Sequence, residues 1–380
     1  MSGKPFGEPD RHDERDKPGK PYVSGHYAPM AVESTVWGLT VHGSLPPELT
    51  GRYLRNGHNP PPGVVPSHWF KGSGMVHGLR LRDGRAEWYR NRWVRTPALH
   101  SAMETAAGGE GAGAGGEGMD PGDAGADGAA DLVASVAGTH VIEHAGRVLA
   151  LQEANLPYEL TAELATVGAY DFEGKLTRAM TAHPKEDPAG RIVVEGPRYD
   201  RAAWQTSWKW WTGAPGHATV PLVGSLHHRW VLDPSTGTAR EEPLDDLVTE
   251  FPTINDSVLG RPSRYGYAVA FPGSGLEEYA LVKYDAATGT RQIAPTGPGR
   301  MPGEAVFVPA DGGGGAGGGG SEDDGYLLTL VSDLRRDASE LIVLDARDIT
   351  AAPVATVELP HRVPAGIHGS WIPDPATGPW

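Results

Sequence analysis

The chain contains no cysteine. No disulfide can brace it, no thiolate can hold zinc or an iron–sulfur cluster, and a transition metal must be bound by histidine or carboxylate. This fits a reducing compartment, and the expected location is cytoplasmic. Long apolar runs are missing too: no stretch reaches the roughly 18 residues of a membrane-spanning helix. The opening MSGKPFGEPDRHDERDKPGK has no apolar signal core. Basic charge is scarce. Thirty-three Lys and Arg face 48 Asp and Glu, for a net charge of -15, which leaves no field for phosphates and excludes nucleic acid as a partner. Helical apolar periodicity is hard to find, so helix should be minor. Also absent are G-x-S-x-G, H-E-x-x-H, a P-loop and a cysteine nucleophile, so the common hydrolase, zincin and nucleotide-hydrolase readings have no footing.

What is present is 380 residues, 39% hydrophobic, with 53 Gly, 34 Pro and 11 Trp. That is enough for a substantial core in a turn-rich, all-β chain. Residues 1–20 read as a disordered tail and 21–380 as one domain. The low-complexity runs at 108–130 and 311–324 read as surface-loop insertions. Gly111, Gly113 and Gly116 formally spell G-x-G-x-x-G, but no strand precedes and no helix follows them, so a dinucleotide site is discarded. Between these runs one unit recurs, a β-rich run, an Asp or Gly turn and a second β-rich run: LRLRDGRAEWYR, HVIEHAGRVLALQEA, HRWVLDPSTGTARE, LVKYDAATGTRQI and LIVLDARDITAAPVATVEL. Asp233, Asp285 and Asp345 mark three of these turns. A hairpin recurring at roughly 40 to 50 residues predicts a β-propeller, with a β-sandwich as the alternative. The segment 197–227 breaks the rhythm. It carries Trp204, Trp208, Trp210 and Trp211 and shows neither strand alternation nor a turn.

Chemistry must then come from fifteen histidines and the carboxylates. His183 precedes Pro184, which favours extended backbone, and His368 lies between Gly366 and Gly369. Glu153 (LALQEANLPYE), Glu250 (TEFPTIN) and Glu304 (PGEAVFVP) sit inside apolar β-type runs, where a glutamate needs a donor or a nearby cation.

Eleven stretches in order, GRYLRNGHNPP, HWFKGSGMVHGLRLRDGRAEWYRNRWVRT, LALQEANLPYEL, TVGAYDFEGKL, TAHPKEDP, EFPTIN, RYGYAVA, PGEAVFVP, EDDGYLLTLV, ASELIVLDARD and GIHGSW, resemble the motifs of the carotenoid cleavage oxygenases. The resemblance covers roughly residues 35 to 195 and 228 to 375. It implies a seven-bladed β-propeller with one axial Fe(II) held by four histidines, three of them backed by outer glutamates. Such carboxylates would offset the metal's charge and fix the imidazole tautomers. By motif, His183 matches the first ligand, His368 the fourth, and Glu153, Glu250 and Glu304 the outer carboxylates. The strands that would carry the second and third ligands have no match. His217, His227 and His228 are the histidines left in that interval, and none sits in a ligand motif. An internal deletion of one to two blades, with 197–227 as its junction, is therefore expected.

The resemblance implies an oxidoreductase, an iron dioxygenase that uses O2 to cleave a conjugated C=C bond of a carotenoid, apocarotenoid or stilbene into two carbonyl products. A peripheral membrane contact would suit so apolar a substrate. Whether this chain is such an enzyme turns on the two absent ligands. The alternative is an inactive propeller remnant that binds a polyene or a protein partner.

Overall fold

The computed structural model describes residues 20–108, 132–153, 155–177, 180–184, 192–198, 226–233, 236–273, 275–311 and 320–374. The expected tail, most of both Gly-rich runs and positions 199–225 of the Trp-rich segment lie outside these. The described strands are antiparallel and form four sheets, in keeping with the expected all-β class.

The first sheet runs β1 (Ser34–Trp37), β5 (Arg85–Trp93), β4 (Gly74–Arg82), β3 (Gly51–His58) and β21 (Gly369–Pro373). Its centre is buried on both faces: all eight residues of β3 are buried, whereas the edge strand β1 is half exposed. Asp83 and Gly84 join β4 to β5 with φ of 49° and 71°, the left-handed pair that a two-residue hairpin needs to match strand twist. The second sheet is β6 (His140–His144), β7 (Arg147–Leu151), β8 (Tyr158–Leu160) and β9 (Thr166–Ala169).

In the third, β10 (Ile192–Arg198), β11 (Leu226–Asp233), β12 (Thr238–Ile254), β13 (Tyr265–Ala270), β14 (Ala280–Asp285) and β15 (Thr290–Pro295) lie in sequence order. The fourth is β16 (Arg300–Pro302), β18 (Gly325–Asp333), β19 (Ala338–Asp345), β20 (Ala355–Glu358) and β2 (Val41–Gly43), with β17 (Val306–Pro309) also on β18. One helix, α1 (Pro97–Ala106), starts at a Thr96 cap whose hydroxyl accepts from Leu99 N–H at 3.2 Å. No helix among the described residues is long and apolar enough to cross a membrane.

All five sequence hairpins form, as β4–β5, β6–β7, β11–β12, β14–β15 and β19–β20. The ends of the Trp-rich segment are strand, since Pro197 and Arg198 pair with His227 and Leu226 across β10 and β11. The 17-residue β12 is the unusual element. Its first half pairs with β11 and its second with β13, so one strand serves two ladders.

Packing links the sheets serially. Leu54, Val76, Val141 and Tyr158 join the second sheet to the first. Tyr53, Leu79, Leu328 and Val357 join the first to the fourth, and Tyr267, Val269, Phe307 and Leu327 join the fourth to the third. No apolar cluster among the described residues joins the third sheet back to the second. N- and C-terminal strands interlock twice, β2 with β20 and β3 with β21.

Candidate metal centre

His368 ends the loop that leads into β21, and backbone bonds fix it on both sides. Its N–H donates to Thr139 O (3.1 Å), its carbonyl accepts from Asn56 N–H (3.0 Å), and Ile367 N–H donates to Asn56 O (2.9 Å). The loop can lie this close only because residue 366 is glycine. A Cβ there would stand 2.5 Å from Arg55 Nε and 2.7 Å from Asn56 O. His183 follows the bridge between Asn155 and Met180 and donates its N–H to Thr181 Oγ1 at 3.2 Å. Residues 185 sequence positions apart thus meet: the two Nε2 atoms are 2.8 Å apart and the rings stand at 89°.

Behind each ring is a carboxylate. His183 Nδ1 is 3.0 Å from Glu153 Oε1. His368 Nδ1 is 2.9 Å from Glu304 Oε1, while Glu304 Oε2 accepts from Gly369 N–H at 2.8 Å. Burial disfavours the charge on both glutamates. It is outweighed at Glu304 by electrostatic attraction to His368 and the hydrogen bond from it, with His140 adding to it, and at Glu153 by the hydrogen bond from His183. Both carboxyls therefore stay below the usual range and accept from Nδ1–H.

That fixes the tautomers by their hydrogen bonds. Each Nε2 then presents a lone pair to the other at 2.8 Å, which is repulsive unless a proton or a cation lies between them. Two ligands at about 2.0–2.2 Å from one metal, at right angles, would stand about 3 Å apart. The pair therefore fits two positions of a divalent metal's coordination shell. Among the described residues no group of three or more His, Asp or Glu is placed to hold a metal.

Glu250, the third expected carboxylate, lies on β12 opposite Val269, where the register slips between Glu250 and Thr253. Its negative charge adds to burial and Tyr279 in pushing the Tyr27 hydroxyl upward. His227 stacks on Tyr284 at 4.8 Å, and His228 Nδ1 bonds Leu226 O, so both serve β11 packing. His217 lies outside the described residues.

Two neighbours were not singled out in the sequence. His140, buried at the start of β6, bonds Ala182 O through Nδ1 at 2.9 Å, with its ring 5.2 Å from that of His368. A histidine opening a β-run beside Thr139 was the available signal, and fourteen other histidines diluted it. Phe251 sits at the β12 slip with φ of 55°, a left-handed conformation that strains a non-glycine residue by roughly 1–3 kcal/mol. Pro252 behind it also presses that position toward extended backbone. The ring of Phe251 stands edge-on to His368 at 5.7 Å and 82°.

The family model described as "Retinal pigment epithelial membrane protein" matches residues 27–207 and 189–373. A carotenoid cleavage oxygenase of Mycobacterium tuberculosis is 30% identical over 511 aligned positions, covering 93% of this chain and 97% of the relative. Carotenoid 9,10(9',10')-cleavage dioxygenase 1 of Arabidopsis thaliana is 26% identical, covering 92% and 89%. In fold, the chain is similar to the crystal structure of cobalt-substituted apocarotenoid oxygenase of Synechocystis, at 23% identity and a TM-score of 0.73 over 91% of this chain and 97% of that one.

Proposed function

Because this chain belongs to the carotenoid cleavage oxygenase family, we propose that it is built for O2-dependent cleavage of a conjugated C=C bond in a carotenoid, apocarotenoid or stilbene. Each alkene carbon would take one oxygen atom, so that one O2 and one alkene give two carbonyl products. The observation that carries the reading is the His183–His368 pair, each ring held from behind by its own glutamate. Fe(II) is the metal the family implies; when bound, it would supply the one-electron chemistry that lets O2 react with an alkene.

The chain's own residues do the rest. Glu153 and Glu304 hold both Nδ1 protons, keep both Nε2 lone pairs turned inward and offset the charge of a cation. Thr139 and Asn56 lock the His368 backbone. Phe251 shields one side of that ring from water.

The pair supplies two imidazoles where the family site uses four. An internal loss is supported by the 511 aligned positions against 380 residues, which leave well over a hundred positions of the relative without a counterpart. At about 40 to 50 residues per blade that corresponds to about three to four blades, more than the one to two expected from the sequence. The two family matches overlap at 189–207, which supports a loss in that interval.

Anaerobic Fe(II) loading tests the reading. Near-stoichiometric iron that vanishes in His183→Ala and in His368→Ala, with carbonyl products from a stilbene or apocarotenoid under O2, is the expected result. A folded chain that holds no iron would leave the inactive polyene binder.

A further inference from the structure

The two candidate ligands are not held equally. His368 sits on a loop clamped by the backbone of Asn56 and Thr139, and its side chain is 18% exposed, whereas that of His183 is 50% exposed. Ligands must be held within about 0.5 Å of their working positions, so the His183 segment needs a tie to the frame that carries His368. His140 supplies one. It opens β6 opposite Leu151, its carbonyl accepts from Asn56 Nδ2 at 2.9 Å, and the adjoining Thr139 carbonyl accepts the His368 N–H. The main chain of His140 is therefore fixed on the His368 side, while its side chain reaches the other way. Nδ1 lies 2.9 Å from the carbonyl of Ala182, the residue before His183. A carbonyl can only accept, so Nδ1 carries the proton and Nε2 is left as an acceptor. Nε2 faces Ser370 Oγ at 3.5 Å, a long contact two residues beyond His368. The ring is buried, with its centroid 5.2 Å from that of His368 and 6.5 Å from that of His183. Ala182 is fully buried in a cluster with Leu149 and Leu151, which shields the Nδ1 bond from competing water.

We propose that His140 is a positioning residue: its ring is the brace that ties the His183 segment to β6 and so sets the gap between the two Nε2 atoms. This rests on the reading of the His183–His368 pair as metal ligands and adds to it the residue that holds the pair to its spacing. With Nδ1 on Ala182 and Nε2 on Ser370, His140 acts through the two ligands and is not a third one.

Cobalt(II) titration of the full-length protein, followed by visible absorption, tests the brace. His140→Phe keeps a buried ring but removes both bonds, so cobalt affinity should fall about 10- to 100-fold, with a displaced absorption band at saturation. His140→Asn, whose side-chain amide stands near the place of the Nδ1 donor, should recover most of the affinity and the wild-type band. Asparagine is smaller than histidine and leaves the packing damaged, so recovery is what a purely structural role would not give. If His140→Phe does not fold, His140→Gln takes its place, since its longer side chain carries the amide past Ala182 O, and it should behave as the phenylalanine variant does. Wild-type affinity and band in either of these overturn the brace alone. An equal loss in all variants, with the wild-type band at saturation, overturns it in favour of packing. A wild-type chain that gives no cobalt band overturns the functional reading and the brace with it.

Discussion

At the residue scale, the imidazole pair depends on groups that never touch its inner face. Glu304 bonds both His368 and the next backbone N–H. Glu304→Gln keeps an acceptor but removes the charge, and metal affinity should fall by about 10- to 100-fold in a cobalt(II) titration. Other histidines give the molecule a pH response. Burial lowers His58 to about 4 against a weaker pull from the Gly72 carbonyl, and burial with Arg55 drives His77 well below its ordinary value. The sign follows from proton counting. Above about pH 6.5 neither state binds the proton and His58 contributes nothing. As pH falls from there toward 4, the unfolded chain takes a proton that the folded one refuses, so stability drops by about 1.4 kcal/mol per unit and about 3 kcal/mol in all. Denaturant unfolding at pH 7.5 and pH 5 should show the drop, and His58→Phe should remove the His58 share while leaving that of His77. His183, His368, Glu153 and Glu304 were legible from the chain because motif context marks each one. Phe251 was not, because no residue type signals a positive φ before proline.

At the element scale, sheets are joined by buried charge as well as by apolar packing. Lys283 on β14 meets Asp323, just before β18, at 2.5 Å, with side chains only 4% and 9% exposed. The ammonium also lies 4.4 Å over the Tyr265 ring. Asp323→Asn leaves that cation buried without its counter-charge and should destabilise by about 3–5 kcal/mol in denaturant titration. The double change Lys283→Met with Asp323→Leu should recover most of the loss, since a well-packed apolar pair often matches a buried ion pair. The hairpins were legible because Asp–Gly and T-G-T turns between alternating runs leave few other pairings. Their grouping was not. That β12 would continue from one ladder into the next depends on strands far apart in sequence, which alternation does not encode.

At the scale of the whole molecule, β21 is five residues long and covers one side of the fully buried β3. Ending the chain after His368 would remove that strand and open β3 as an unpaired edge. The expected outcome is loss of a single cooperative unfolding transition by circular dichroism, with aggregates in size exclusion.

The interlocking of β2 with β20 and β3 with β21 also sets the order of events during synthesis. β3 is among the early strands to leave the ribosome, yet its partner β21 and His368 follow about 310 residues later. At about 5–20 residues per second, the nascent chain spends tens of seconds with its first sheet open and one of its two imidazoles not yet made. Closure of the first sheet and meeting of the two imidazoles therefore both wait on the same late strand.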